Sequence, residues 1–300
     1  MAAKLAKEYP NITYDLFFES IKRIDTLPPG GQRDMLLHMI PWLQNVELDI
    51  HEFGDLSAQT LKVLNSLFFL TIKYGDEYVQ EVQEMWINLC NSRERAEKNV
   101  LPIVRYLLNT GLAKKNSSFI AHAKKVVVYI GRTIACRFLT DILVGEIAPD
   151  NGDFGAMGET KKNQQTNEIL LETVLKTDLS GVKFTRCELA LILLVDLSIE
   201  LLEELRPHLA RLLHIIFLNM DHENLQVYEQ SRQLFVNLVH SITKTTSALP
   251  VEAEKADTFM ALLQSKEGLL PCYRQFLPET YPPPKKKKKK KKIRQTVLEK

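Results

Sequence analysis

The sequence is poor in the residues that tight-turned, disulfide-stapled or membrane-spanning proteins depend on. Glycine and proline number 12 and 13 in 300 residues, too few for an all-β chain dense in tight turns. The four cysteines, Cys90, Cys136, Cys187 and Cys272, are far apart and form no CxxC pair. They read as buried reduced thiols rather than a disulfide framework or a zinc site. The longest apolar run, 189–202, is broken by Asp196 and Glu200, too short and too polar for a bilayer. The N-terminus has no apolar core of signal-peptide length. The sequons at Asn11 and Asn116 therefore read as chance matches, and the chain is expected to be cytoplasmic.

Catalytic signatures are missing as well. There is no HExxH, GxSxG, Walker loop or kinase signature set. Gly152, Gly155 and Gly158 sit between helical segments, not in the strand-to-helix turn that a dinucleotide fingerprint needs. His208 and His214 are six apart, on different helix faces, and His214 with Asp221 supplies only two of the three or four ligands zinc needs. His214, inside an apolar run, reads as a core or subsurface histidine. No enzyme activity, cofactor or metal is expected. Trp42, beside Pro41, is read as a core anchor of a kinked helix rather than a peptide-binding hot spot.

What the sequence does contain is helical patterning. It is 45% hydrophobic, 25% charged and 8% aromatic, ordinary globular composition. Apolar residues recur at helical spacing: Leu16, Phe17, Ile21 and Ile24; Met35, Leu36, Met39, Ile40 and Leu43; Leu61, Leu64, Phe68 and Ile72. The pattern continues with Val79, Val82, Trp86 and Leu89; Val100, Val104, Leu107 and Leu108; and Phe119, Ala123, Val126, Val127 and Ile130. No segment alternates over strand length, so the chain is predicted to be all-α.

Start and stop signals divide it into about a dozen helices. Ser57 caps a helix that Gly75 ends, and Asp76 caps the next, to about Cys90. A helix from about Arg93 stops at Gly111. Another, opened by Ser117, closes at Gly131, and a further helix runs from Ile134 to Ile147. Later helices start near Thr166, Thr185, Pro207, His222 and Pro250. Pro41 and Pro102 should kink or split their helices. Helix pairs start near 11, 57, 93, 134, 185 and 222, spacings close to the roughly 40–47-residue period of HEAT and armadillo arrays. The expected architecture is an α-solenoid: helical repeats over 1–147, a flexible polar loop at 148–165, helical repeats over 166–280 and a disordered Pro/Lys-rich tail at 281–300.

Four segments carry a family resemblance. GGQRDMLLHMIPWLQNVEL at 30–48, AKKVVVYI at 123–130, CELALILLVD at 187–196 and LHIIFLNMDH at 213–222 occur in that order, the last followed by VYE at 227–229, Arg232 and Asn237-Leu238. In this order the chain resembles the Furry family over most of residues 8–245. Asn219 departs from the glycine usual there, and 148–184 is much shorter than the variable insert of animal members. The lysine tail has no counterpart. The resemblance implies a HEAT/armadillo-like, non-enzymatic scaffold and, because full-length members are giant proteins, an internal fragment. It also implies partners: NDR-type kinases, Mob co-activators and microtubules, in cell polarity, neuron projection development and cytoskeletal organisation. The expected location is then the cytoplasm, including spindle poles or sites of polarised growth.

Charge is segregated. Residues 285–300 hold ten Lys/Arg against one Glu, leaving 29 Lys/Arg against 36 Asp/Glu in residues 1–284. The two parts carry net charges of +9 and −7. The candidate polyanion contact is therefore the run Lys285, Lys286, Lys287, Lys288, Lys289, Lys290, Lys291 and Lys292, although an adenine-rich stretch of coding sequence also yields such a run. A helical-repeat nucleic-acid or nuclear-transport adaptor using this tail is the alternative function. The acidic body argues against it, since phosphate binding needs a basic face.

Overall fold

A computed structural model of the chain describes residues 1–51, 54–147, 171, 173–175, 184–199 and 202–246. The predicted loop at 148–165, the helices expected near Thr166 and Pro250, Cys272 and the lysine run all lie outside these residues. The described residues are all-α. The helices are α1 (Ala2–Glu8), α2 (Thr13–Ile24), α3 (Pro29–Met39), α4 (Ala58–Tyr74), α5 (Val79–Leu89) and α6 (Arg93–Lys114). They are followed by α7 (Ser117–Gly131), α8 (Cys136–Ile147), α9 (Arg186–Leu197), α10 (Leu202–Leu205), α11 (Leu209–Leu218) and α12 (Leu225–Thr246), with short 3-10 turns between some of them. The β pairing among the described residues is one isolated antiparallel bridge, Ile50 to Leu56.

Local signals account for several boundaries. Ser57 Oγ accepts the Thr60 N–H at the start of α4, and Gly75 closes that helix through its N–H to the Thr71 carbonyl. Thr185 and Glu188 form a complete capping box on α9. Pro41 ends α3 as expected: the helix stops at Met39, and Ile40–Asn45 continues as a 3-10 turn.

Other boundaries differ from the sequence reading. Asp76 does not cap α5, whose N-cap Tyr78 makes no side-chain cap bond. Asp76 is drawn instead to Lys125 Nζ, 2.8 Å away on α7. Gly111 does not stop α6, which runs on to Lys114, where Lys115 adopts the left-handed cap at φ 49°. A Cβ on Gly111 would sit 2.8 Å from Leu189 Cδ2, so this glycine serves close packing. Pro102 lies inside α6 without ending it. The carbonyl that it deprives of a hydrogen bond belongs to Lys98, an exposed residue, where water can take the bond. The helix expected at Pro207 opens as a 3-10 turn, Arg206–His208, and continues directly as α11 from Leu209. The helix expected from Ile134 starts at Cys136.

Helices neighbour each other in two rows. In one, α5 packs on α7, α7 on α9 and α9 on α12; in the other, α4 packs on α6, α6 on α8 and α8 on α10. The centre is aromatic. Phe68 of α4 stacks on Phe119 of α7 with ring centroids 4.3 Å apart, and Tyr106 of α6 meets Phe68 edge-on at 6.0 Å. Tyr106 is fully buried and donates to Asn65 Oδ1 at 2.8 Å. Residues 189–195 of α9 are all buried, as a helix packed against α6, α7, α8 and α12 requires. Among the predicted stripes Val79 alone is exposed, 44% at the start of α5, while Leu16, Met35, Ile40, Leu61 and Ile72 are half-buried.

Candidate functional site

The 30–48 segment is an interior clasp. Trp42 and Leu43 are buried, as a core anchor should be. Asn45 Nδ2 donates to the Ala6 carbonyl at 2.8 Å and to Thr13 Oγ1 at 3.1 Å, fastening α1 and α2. Gln44 Nε2 reaches Asn88 Oδ1 of α5 at 2.9 Å. From α6, Asn99 accepts the Leu48 N–H at 3.0 Å and donates to the carbonyls of Val46 and Leu89 at 3.2 and 2.7 Å. Asn99 is 1% exposed, so one amide satisfies three buried backbone groups that water cannot reach. Upstream, Arg33 Nε lies 2.6 Å from Glu81 Oε1. That hydrogen bond holds the buried Glu81 carboxyl below its ordinary range, against the upward push of desolvation.

The second group of motif residues joins α9 to α12. His222 Nε2 lies 3.1 Å from Glu188 Oε1. Further along, Asn237 Nδ2 donates to the Val195 carbonyl and to Ser198 Oγ at 3.1 and 3.0 Å. These contacts pair the start of α9 with the turn before α12 and the end of α9 with the middle of α12, so the two helices run in the same direction. Asn219, where the resemblance leads one to expect glycine, sits without backbone strain. Its φ is −97°, and its amide donates to the Ile215 carbonyl at 2.9 Å, capping α11 itself. Arg186 grips both Glu146 oxygens, at 2.5 and 2.8 Å, and Asn109 Oδ1 at 2.6 Å, tying α9 to α8 and α6. Lys124 of α7 reaches Asp196 Oδ1 at 3.1 Å.

The residues weighed for chemistry are dispersed. His208 Nε2 pairs with Asp141 Oδ1 at 2.8 Å. His214 is exposed on α11, not in the core, because the apolar run around it turns its other faces inward. Phe217, part of the same run, is half-buried and packs on Phe235 at 5.7 Å. Among the described residues, no group of three or more His, Cys, Asp or Glu could hold a metal ion. Burial pushes the Cys90 thiol up to about 12 and the Cys136 thiol up to about 11, which keeps both protonated and unreactive near neutral pH. Cys187 is half-buried rather than buried. Asn116, in the second sequon, is buried and caps α7 by accepting the Phe119 N–H at 3.0 Å. No described helix is long and apolar enough to cross a membrane.

One surface feature has no counterpart in the sequence reading. An open hollow of about 540 Å³ is lined by Arg93 at the start of α6 and by Ile134, Arg137, Phe138 and Asp141 at the start of α8. The available sequence signal is the pair of arginines in first helical turns, an unfavourable place for a cation. Only the packing of α8 on α6 brings them together.

The chain is similar over most of its length to two known proteins. The chain is 24% identical over 258 residues to the cell morphogenesis protein PAG1 of Saccharomyces cerevisiae, covering 85% of this chain and 10% of that protein. It is 24% identical over 256 residues to the cell polarity protein mor2 of Schizosaccharomyces pombe, covering 80% of this chain and 11% of that protein. The chain thus spans about a tenth of the length of these relatives. The family described as "Cell morphogenesis central region" matches residues 1–151 and 131–262, a span that takes in all four motif segments and the Asn99, Glu188 and Asn237 contacts that lock them. On this match the chain belongs to the cell morphogenesis central region family, the Furry family that its sequence resembles.

Proposed function

We propose that this chain is a non-enzymatic scaffold segment that acts in cell polarity and morphogenesis by presenting partner surfaces on an α-solenoid. The observation that carries the reading is the family match across residues 1–262, with relatives named for cell morphogenesis and cell polarity. The two rows of helices support the solenoid, since from α4 to α9 each helix lies beside the next but one, as in stacked helix pairs. In this reading 1–147 and 166–280 are two runs of repeats joined through 148–165. The partners are an NDR-type kinase with its Mob co-activator and microtubules, met in the cytoplasm, at the cytoskeleton or at sites of polarised growth. Any polyanion contact belongs to the lysine run 285–292.

The test is co-precipitation of the full chain with an NDR-type kinase and its Mob co-activator, alongside microtubule co-sedimentation at rising salt. The reading requires kinase retention by both the full chain and a variant ending at residue 284. Salt-sensitive pelleting that needs residues 285–300 supports the lysine run as a polyanion contact. Pelleting of both forms alike places the microtubule contact on residues 1–284. Absence of kinase retention by a folded chain contradicts the scaffold role in its stated form.

A further inference from the structure

The hollow at the starts of α6 and α8 brings an exposed apolar residue and two cations into one lining. Ile134 is 57% exposed. Among the described large apolar residues from α2 through α9 it is the most exposed, ahead of Leu37 and Val79. The helices around it are otherwise packed: α7 and α8 lie against each other and against α9, and α8 lies against α6. The Arg93 and Arg137 side chains are 84% and 80% exposed. Arg93 is held by Glu97 at 3.1 Å, within its own helix. Arg137 reaches Asp141 only at 4.0 Å, while the other oxygen of that carboxylate takes His208 at 2.8 Å. The Arg137 guanidinium therefore keeps most of its donors available. Residues 1–284 carry a net −7, whereas the lining of the hollow, Arg93 and Arg137 with Asp141, is net positive by one charge.

We propose that this hollow docks a short protein segment presenting a carboxylate beside an apolar side chain. The carboxylate takes the fork of Arg137, with Arg93 as the second cation, in the two-bond geometry that favours arginine over lysine. The apolar side chain covers Ile134 and the edge of Phe138. The assignment goes beyond the scaffold reading and rests on it only in that the occupant is a protein. Kinase retention tests that reading separately, so the two can fail independently.

The experiment is fluorescence anisotropy of the full chain with three labelled ten-residue peptides. One alternates Glu with Leu or Phe, the second replaces Glu by Gln, and the third replaces the apolar residues by Ser. The first should bind saturably, and the other two about tenfold more weakly or worse. Arg93→Gln with Arg137→Gln, and separately Ile134→Ser, should each weaken the first peptide by about tenfold. Arg137→Lys should fall between these and the parent. Arg23→Glu, at an exposed arginine on α2, should change nothing. All these positions are exposed, and circular dichroism verifies that helicity is retained. Equal binding by parent and variants, no binding of the first peptide, or equal binding of the Gln peptide overturns the proposal. So does an Arg137-dependent preference for poly(U) RNA or phosphatidylserine vesicles over the peptide.

Discussion

Glu188 and His222 close one end of the contact between α9 and α12 through a single carboxylate. One oxygen accepts the Thr185 N–H at 2.7 Å to complete the capping box, and the other lies 3.1 Å from His222 Nε2. The His222 ring is oriented by its other nitrogen, which accepts the Asn224 N–H at 3.0 Å. That bond puts the ring proton on Nε2, facing Glu188. Replacing Glu188 by Ala removes a cap and an interhelical bond together, an expected loss of about 2 kcal/mol. Glu188→Gln keeps the capping-box geometry and loses less. A double-mutant cycle with His222→Ala should give a coupling of about 0.5–1.5 kcal/mol by urea denaturation. A coupling of zero means the pair does not join the helices.

The clasp around Trp42 should be the costliest place to cut. Trp42→Ala removes a buried ring and should cost about 3–5 kcal/mol. Asn99→Ala strands the Leu48 N–H and two carbonyls, and at about 1–3 kcal/mol for a buried unpaired group it should approach the same loss. Phe217→Ala, at a half-buried site, should cost less than either. Losses under about 1 kcal/mol at both Trp42 and Asn99 would show that the segment lies on the surface.

Two helical glycines should respond in opposite ways to alanine. Gly145 in α8 is exposed, and nothing lies within 4 Å of the point where an alanine methyl would sit. Gly145→Ala should therefore stabilise by about 0.5–1 kcal/mol. At Gly111 the same gain is opposed by the clash with Leu189 Cδ2 in a filled core, an overpacking cost of about 1–3 kcal/mol. Gly111→Ala should lower the thermal midpoint while Gly145→Ala raises it. A rise for both would mean that α6 and α9 are not in close contact.

Acid should reveal the Arg33–Glu81 pair. The folded-state pKa of Glu81 lies below its ordinary value of 4.5, chiefly through the Arg33 hydrogen bond. The pair's contribution is thus complete above the unfolded-state value and is lost as pH falls through the folded one. Arg33→Gln should lower the urea midpoint at neutral pH, and the gap from the parent should narrow as both are acidified toward about pH 3. A gap constant across that range would contradict the assignment.

Local chemistry is the part of this fold that the sequence makes readable. Ser57, Gly75, Pro41 and the Thr185–Glu188 pair act within a few residues of themselves, and each does what its type and position predict. Gly111 and Asp76 escape a local reading because their roles are tertiary: one makes room for Leu189, and the other is taken by Lys125, 49 residues away. Asn99 gives no local signal, since its partners at Val46 and Leu48 come from another element. The motif segments mark the family correctly, and their apolar residues, such as Trp42, Leu43, Val126 and the run 189–195, build interior contacts. The hollow at Arg93 and Arg137 joins two helix starts that only packing brings together.

The most direct test of the scaffold account is calorimetric titration of a purified NDR-type kinase–Mob complex into the full chain. The account predicts saturable binding with defined stoichiometry, retained by a variant ending at residue 284. No binding to a chain whose helicity is intact, or binding that disappears with residues 285–300, would contradict it.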